Sequence, residues 1–265
     1  MVLDAADTAA LLIVGLFAGL LGGLAGLGGS ILMIPAMALL FHGRPFDNQH
    51  LYQAAAMAVN VAVSVPAALR HKKSGMIRGD LFRWMLPATL VLMVVGVLLG
   101  NLISSAVLER VFAVFVAVVA VQTVWAAVKK EPELDESLAR VTAGRGLTVG
   151  GVMGLAAGVL GVGGGIVAVP LARALCRLPL KKCIAASAAV MGLTSLFGAG
   201  LKIATLHEHN LSPVHALVLA LTLAPTAIVG GYVGAGLTKS LPLSVVRSAL
   251  AGLLIASSLK MLGLW

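Results

Sequence analysis

The sequence predicts an all-α polytopic membrane protein made of two inverted repeats, each a glycine-broken re-entrant helix hairpin followed by three transmembrane helices. Three observations carry this. First, of 265 residues 60% are hydrophobic and only 11% charged, with a mean hydropathy of +1.04, well under the roughly 25% charge of soluble domains. Second, apolar runs long enough to cross a hydrocarbon core of about 30 Å recur along the whole chain. Third, the chain is written twice. Sliding one half onto the other superposes Gly15, Gly19, Gly23, Gly26, Gly28, Gly29 and Pro35 on Gly150, Gly154, Gly158, Gly161, Gly163, Gly164 and Pro170. With small changes of offset, Ser64 falls on Ser195, Pro87 on Pro225, Gly96 on Gly234 and Arg110 on Arg247.

The elements follow in order. The start, "MVLDAADTAA", lacks the positive region of a cleaved secretory signal, so the first helix is expected to belong to the mature protein. The first repeat, 1–128, opens with a long apolar segment over 9–41 and continues with spans at 51–69, 84–104 and 109–128. A charged linker, 129–146, contains "KKEPELDESLARVTAGR" with helix-breaking Pro132. The second repeat, 147–265, opens with a long segment over 147–176, then spans at 183–203, 213–236 and 246–263. A straight helix over 9–41 would measure about 50 Å, beyond the hydrocarbon thickness. The glycine knots "LAGLGG" and "VLGVGGG" divide each long segment, leaving a first arm of about 16 residues and a second of about 11, too short or barely long enough to span alone.

Lys and Arg accumulate in cytoplasmic loops. If both long segments are hairpins, all but Arg44, Arg110, Lys202 and Lys260 of the 19 basic residues fall on the cytoplasmic side, with both termini external. Eight plain crossings distribute them almost evenly. The expected location is therefore a bacterial inner membrane, multi-pass. The net charge of +9 lies in short clusters between apolar runs, which fits topology and anionic lipid and not nucleic acid. Cys176 and Cys183 are read as small buried hydrophobes. Dimerisation stays open.

What would the knots do? The second arms begin near Ser30 and Gly165, at the membrane middle, where helix N-termini carry unpaired N–H groups and partial positive charge suited to an anion. Glycines allow the positive φ angles of an anion nest. The expected substrate-binding set is Gly26, Gly28, Gly29, Ser30, Gly161, Gly163, Gly164 and Gly165, with the intramembrane polar residues Gln53, Asn60, Ser64, Ser187, Thr194 and Ser195. No buried lysine or arginine is expected there. Gly15, Gly19 and Gly23, four apart, are assigned to helix packing. For a single Ser or Thr a bond to its own helix is the simpler reading, whereas Asn60 or Gln53 should face the cavity or cross to another helix. No Lys-Ser or Lys-Thr follows the knots as in a phosphate loop. No G-x-S-x-G, no H-E-x-x-H and no midplane carboxylate is present, so neither catalysis, nor a metal, nor a cofactor is expected. "HEH" at 207–209 reads as a loop.

The segments "GLFAGLLGGLAGLGGSILMIPAMALL", "GVMGLAAGVLGVGGGIVAVPLARAL" and "AAAMAVNVAVSVPAALRHKKSGMIRGDLFRWMLPA" resemble the TauE/SafE sulfite exporter family, described as permeases for sulfur-containing anions. The resemblance implies secondary transport, most often export, of sulfite, sulfoacetate or related sulfonates. A channel, or an uptake permease for another small organic anion, is the alternative. Ser30 stands where the second half has Gly165, so the two halves need not meet the ligand equally.

Overall fold

The computed structural model describes residues 3–25, 28–128 and 134–237, with residues 252, 254–256, 258, 259 and 261 near the C-terminus. The described residues form helices α1 (Ala5–Ala25), α2 (Ser30–Leu40), α3 (Gln49–Lys73), α4 (Gly79–Asn101), α5 (Ser105–Val128), α6 (Ala143–Leu160), α7 (Gly165–Cys176), α8 (Leu180–Ala204) and α9 (Pro213–Leu237), with short turns at Glu136–Leu138 and Leu206–His209. Seven of these are long and apolar enough to cross a membrane; α2 and α7 are shorter. The chain is a polytopic helical membrane protein. The expected last span, 246–263, falls largely outside the described residues, as do Gly26 and Pro132.

The long segments break at the glycines, yet their first arms exceed the expected length. α1 has 21 residues and α6 has 18, each enough to span. The extra turn of α1 comes from its cap: the Asp4 carboxylate accepts from the Asp7 N–H at 2.7 Å, which lets the polar "AADT" stretch join the helix. The second arms, 11 and 12 residues, match expectation. Each returns to the level at which its first arm began. Arg44, just past α2, makes a two-pronged ion pair with Asp7 at 2.8 and 2.9 Å, and the Arg140 N–H, just before α6, donates to the Cys176 carbonyl at the end of α7, 2.8 Å away.

Small residues set the packing. A β-carbon added at Gly150, Gly154 or Gly158 of α6 would lie 2.3 Å from the carbonyl oxygens of Met85, Thr89 and Met93 in α4. In the other half, Gly15 and Gly19 of α1 press against Leu223 and Ala227 of α9. In both pairs the contacts advance together along the two chains, so the helices run parallel at backbone-to-backbone range. The opening helix of each half thus packs on the helix of the other half that carries Pro87 or Pro225. The corresponding helices α3 and α8 pack on each other and run antiparallel, with Gln53 against Lys202, Met57 against Gly198 and Ser64 against Gly192. Large apolar side chains such as Val91, Leu98, Val114 and Leu221 point outward, as lipid requires.

The ends of the bundle differ. At one, Glu136 of the linker meets Lys182 and Arg78, and Arg78 also grips Asp80 at 2.5 Å; that carboxylate holds the Arg78 guanidinium above its usual range. This linker end gathers the loops expected to be cytoplasmic. The N-terminal end gathers the others: Gln49 N–H donates to Ser105 Oγ at 2.8 Å and Asn101 Nδ2 to Glu208 at 3.2 Å. Cys176 and Cys183 are free thiols in buried positions, as read from the sequence.

Candidate functional site

The knots converge. A β-carbon placed on Gly28 would sit 2.9 Å from Met191 Sδ and 3.0 Å from Asn60 Oδ1, and one on Gly163 would sit 2.9 Å from both Asn60 Nδ2 and Met191 Sδ. Asn60 and Met191 lie near the middles of α3 and α8. The two breaks therefore meet at the centre of the α3/α8 crossing, and the glycines there are buried. Gly28, Gly161, Gly163 and Gly164 all hold φ between 66 and 75°, the left-handed region in which a side chain is strained.

The two halves differ at their helix starts. The Ser30 N–H, first in α2, donates to Asn60 Oδ1 at 3.2 Å, and Asn60 Nδ2 donates back to Ser30 Oγ at 2.9 Å. The first knot's free amide is therefore already met by a side-chain oxygen, contrary to the expectation that both helix starts stand open. At α7 no side chain caps the start, and the residue opposite Asn60 in the crossing is Met191, a poor acceptor. Of the two knots, only that before α7 leaves its helix start without a side-chain acceptor among the described residues.

The remaining expected residues divide. Ser64 Oγ donates to the Asn60 carbonyl at 2.5 Å, and Thr194 Oγ1 to Val190 and Met191 carbonyls at 3.1 and 3.2 Å; both take the own-helix bond. Ser187 and Ser195 are buried with no partner at Oγ. Gln53 crosses between helices, accepting from Lys202 Nζ at 2.6 Å. Gly29 packs against Ala18 and Met33, and Gly164 against Met153, so these two shape the bend and do not line its tip.

Lys202 overturns an expectation. It is 2% exposed, not at the outer surface, and it is linked to the second knot through Gln53: Gly161 packs directly on the side chain that accepts its hydrogen bond. Beside it lie the rings of His50 and His209, stacked with centroids 3.7 Å apart. Neither Lys202 nor His50 belongs to the set expected from the sequence, although "QHLYQ" at 49–53 puts Gln49 and Gln53 on one helix face. "HEH" is a loop turn, as expected, but its second histidine turns inward onto His50. Burial holds the His209 imidazole below its usual range, with Glu208 opposing and Lys202 reinforcing the effect.

Along α3, residues 49, 53, 60 and 64 fall within an arc of about 60° at 3.6 residues per turn. On α8, 187, 191, 195 and 202 fall within about 80°. A polar stripe thus runs through an apolar bundle along the α3/α8 seam, crossed at its middle by two broken helices. In a membrane, irregular backbone at depth is tolerated where it serves a cavity or a site, and half-helix ends meeting at a repeat interface are the architecture of a secondary transporter.

Comparison with known proteins agrees. A family model described as sulfite exporter TauE/SafE matches residues 11–261; the chain belongs to this family of membrane transporters. Among its relatives, a protein of Haemophilus influenzae named a probable membrane transporter protein is 27% identical over 94% of this chain and 96% of its own length. The probable membrane transporter protein MamO of Paramagnetospirillum magneticum is 29% identical over 97% of this chain, and that of Magnetospirillum gryphiswaldense 30% identical over 97%. The chain spans 45% of the length of each MamO protein. No solved structure matches the chain.

Proposed function

We propose that the protein is a carrier for small sulfur-containing oxyanions, sulfite, sulfoacetate or related sulfonates, which it moves outward across a bacterial inner membrane by alternating access. The anion sits where the two glycine knots meet, its oxygens on the uncapped start of α7 with the hydroxyls of Ser195 and Ser30 in reach along the seam. The single observation that supports this reading is the convergence of Gly28 and Gly163 on Asn60 and Met191. The antiparallel course of α3 and α8 supports inverted halves: a pseudo-twofold lying in the membrane plane exchanges corresponding helices with their directions reversed. Closed over by Asn60 and Met191, the arrangement corresponds to an occluded state, and rocking of α1 with α9 against α4 with α6 would open it to either side. The parallel, glycine-tight pairs are the rigid bodies of such a motion.

The test is flux in proteoliposomes. Labelled sulfite and methanesulfonate should enter saturably and show counterflow. Gly28→Val and Gly163→Val should each reduce the rate at least tenfold, because the added carbons occupy the space beside Asn60. These positions test the site better than Gly164, whose substitution also strikes the α6 backbone. Unitary currents in place of counterflow, or undiminished flux in both variants, would remove the carrier mechanism.

A further inference from the structure

We propose that Lys202, with Gln53 and Gln49 and the stacked His50 and His209 rings, forms a second, buried oxyanion-binding site between the N-terminal end of the bundle and the glycine knots. Three independent features of the cluster lead there.

The first is charge. An ammonium withdrawn from water is destabilised by several kcal/mol unless an opposite charge or a full set of acceptors compensates it. Lys202 can donate three hydrogen bonds; among the described residues it makes one, to the neutral amide oxygen of Gln53, and no carboxylate pairs with it. Glu208, near in sequence, is turned outward to Asn101. An ammonium here is therefore left without a counter-ion among the described residues.

The second is the set of unmet polar groups, of which the amide N–H₂ groups of Gln53 and Gln49 are donors. Because Lys202 takes Gln53 Oε1, the Gln53 amide is oriented with its NH₂ directed elsewhere, and Nε2 is buried with no partner. One turn earlier on the same face, both polar atoms of the Gln49 side chain are buried without partners. His50 Nε2 lies 3.0 Å from the Ile103 carbonyl oxygen and so is the donor there, which leaves Nδ1 an acceptor unless the ring is protonated; neither it nor His209 Nε2 has a partner among the described residues. All these residues are 0 to 2% exposed except His209, which lies at the turn. A buried ammonium flanked by free amide N–H₂ groups is complementary to a small, negatively charged acceptor. A metal cation is disfavoured by the ammonium, and an apolar guest by the polar atoms it would leave unmet.

The third is position. The cluster is bounded on one side by the Leu206–His209 turn, with His207 and Glu208 exposed, and on the other by Gly161, which packs against the Gln53 side chain. It stands between solvent and the second knot, whose helix start is uncapped. An anion leaving the central site toward this end would pass from backbone amides to an ammonium. The use of the site in transport rests on the carrier reading above; the binding itself does not.

The experiment uses the full-length protein purified in detergent, titrated with sulfite, methanesulfonate, sulfate and acetate by calorimetry and by thermal shift, with flux measured in parallel. The decisive variant is Gln53→Glu, nearly the same shape, which places a covalent carboxylate against Lys202. It should raise the unliganded melting temperature and weaken oxyanion binding at least tenfold. Lys202→Met should remove the binding event of this cluster, one fewer site in the titration, with no loss of thermal stability, and Lys202→Arg should retain that event in part. An unchanged number of sites with wild-type affinities in Gln53→Glu, or in both Lys202 variants, would overturn the proposal, as would a wild type that binds none of the four anions. A wild type that binds oxyanion but shows no flux, with that binding weakened in Gln53→Glu, would refute the carrier and leave the site standing.

Discussion

At the scale of residues the two knots differ by two exchanges, Ser30 for Gly165 and Asn60 for Met191. Asn60 and Met191 occupy corresponding places in the two halves, yet only the asparagine can complete a helix start. Asn60→Leu keeps the volume near and removes both hydrogen bonds to Ser30, leaving a buried N–H and a buried hydroxyl unmet. A loss of about 1–3 kcal/mol is expected, read as a lower melting temperature in detergent, while Ser195→Ala, which breaks no described hydrogen bond, should leave the melting temperature unchanged. Polar residues inside apolar spans were legible as site candidates, because each has few ways to be satisfied in lipid, and Asn60 and Gln53 do cross to other helices. Lys202 was not legible. Near the end of a span a lysine reads as a surface charge, and what buries it is the side chain of Gln53 on a helix 149 positions away, a contact no local pattern announces. His50 was missed for the same reason, since its partner ring lies on the turn after α8.

At the scale of elements the glycine spacing does two separate jobs. Glycines four apart on α1 and α6 make flat faces for α9 and α4, and the clustered glycines break the helix. The first job was plain from the period; the second gave the place of each break but not the length of the arm before it, because a helix start depends on a cap, and Asp4 extends α1 beyond the apolar run. Gly154→Val should be among the most destabilising changes in the protein, since even its β-carbon would lie 2.3 Å from the Thr89 carbonyl oxygen and overpacking costs about 1–3 kcal/mol or more. Gly144→Ala, on the same helix with open space around it, should be neutral or stabilising by up to about 1 kcal/mol. Melting curves of the two variants beside wild type measure the contrast. Equal effects would mean that α6 does not approach α4 this closely.

At the scale of the whole molecule, the distribution of charge and the direction of the helices have to agree. If the halves are inverted, α3 and α8 begin at opposite ends, and the basic loops after α3 and before α8 must share one face; the contacts of Glu136 with both Arg78 and Lys182 bring those loops together. That grouping followed from the bias of Lys and Arg alone, because loop charge is set by insertion and needs no knowledge of packing. The bias of Lys and Arg predicts that the linker end is cytoplasmic, since Arg70, Lys72, Lys73, Arg78 and Arg83 crowd it while Arg44 at the other end is paired with Asp7. Ser74 and His42 are exposed at the two ends, and the native cysteines are buried. In intact cells a membrane-impermeant maleimide should therefore label His42→Cys at once and Ser74→Cys only after permeabilisation. The opposite pattern would turn the molecule over in the membrane, placing the Lys202 cluster on the cytoplasmic side of the knots and making it a site of capture in an exporter instead of a site of release.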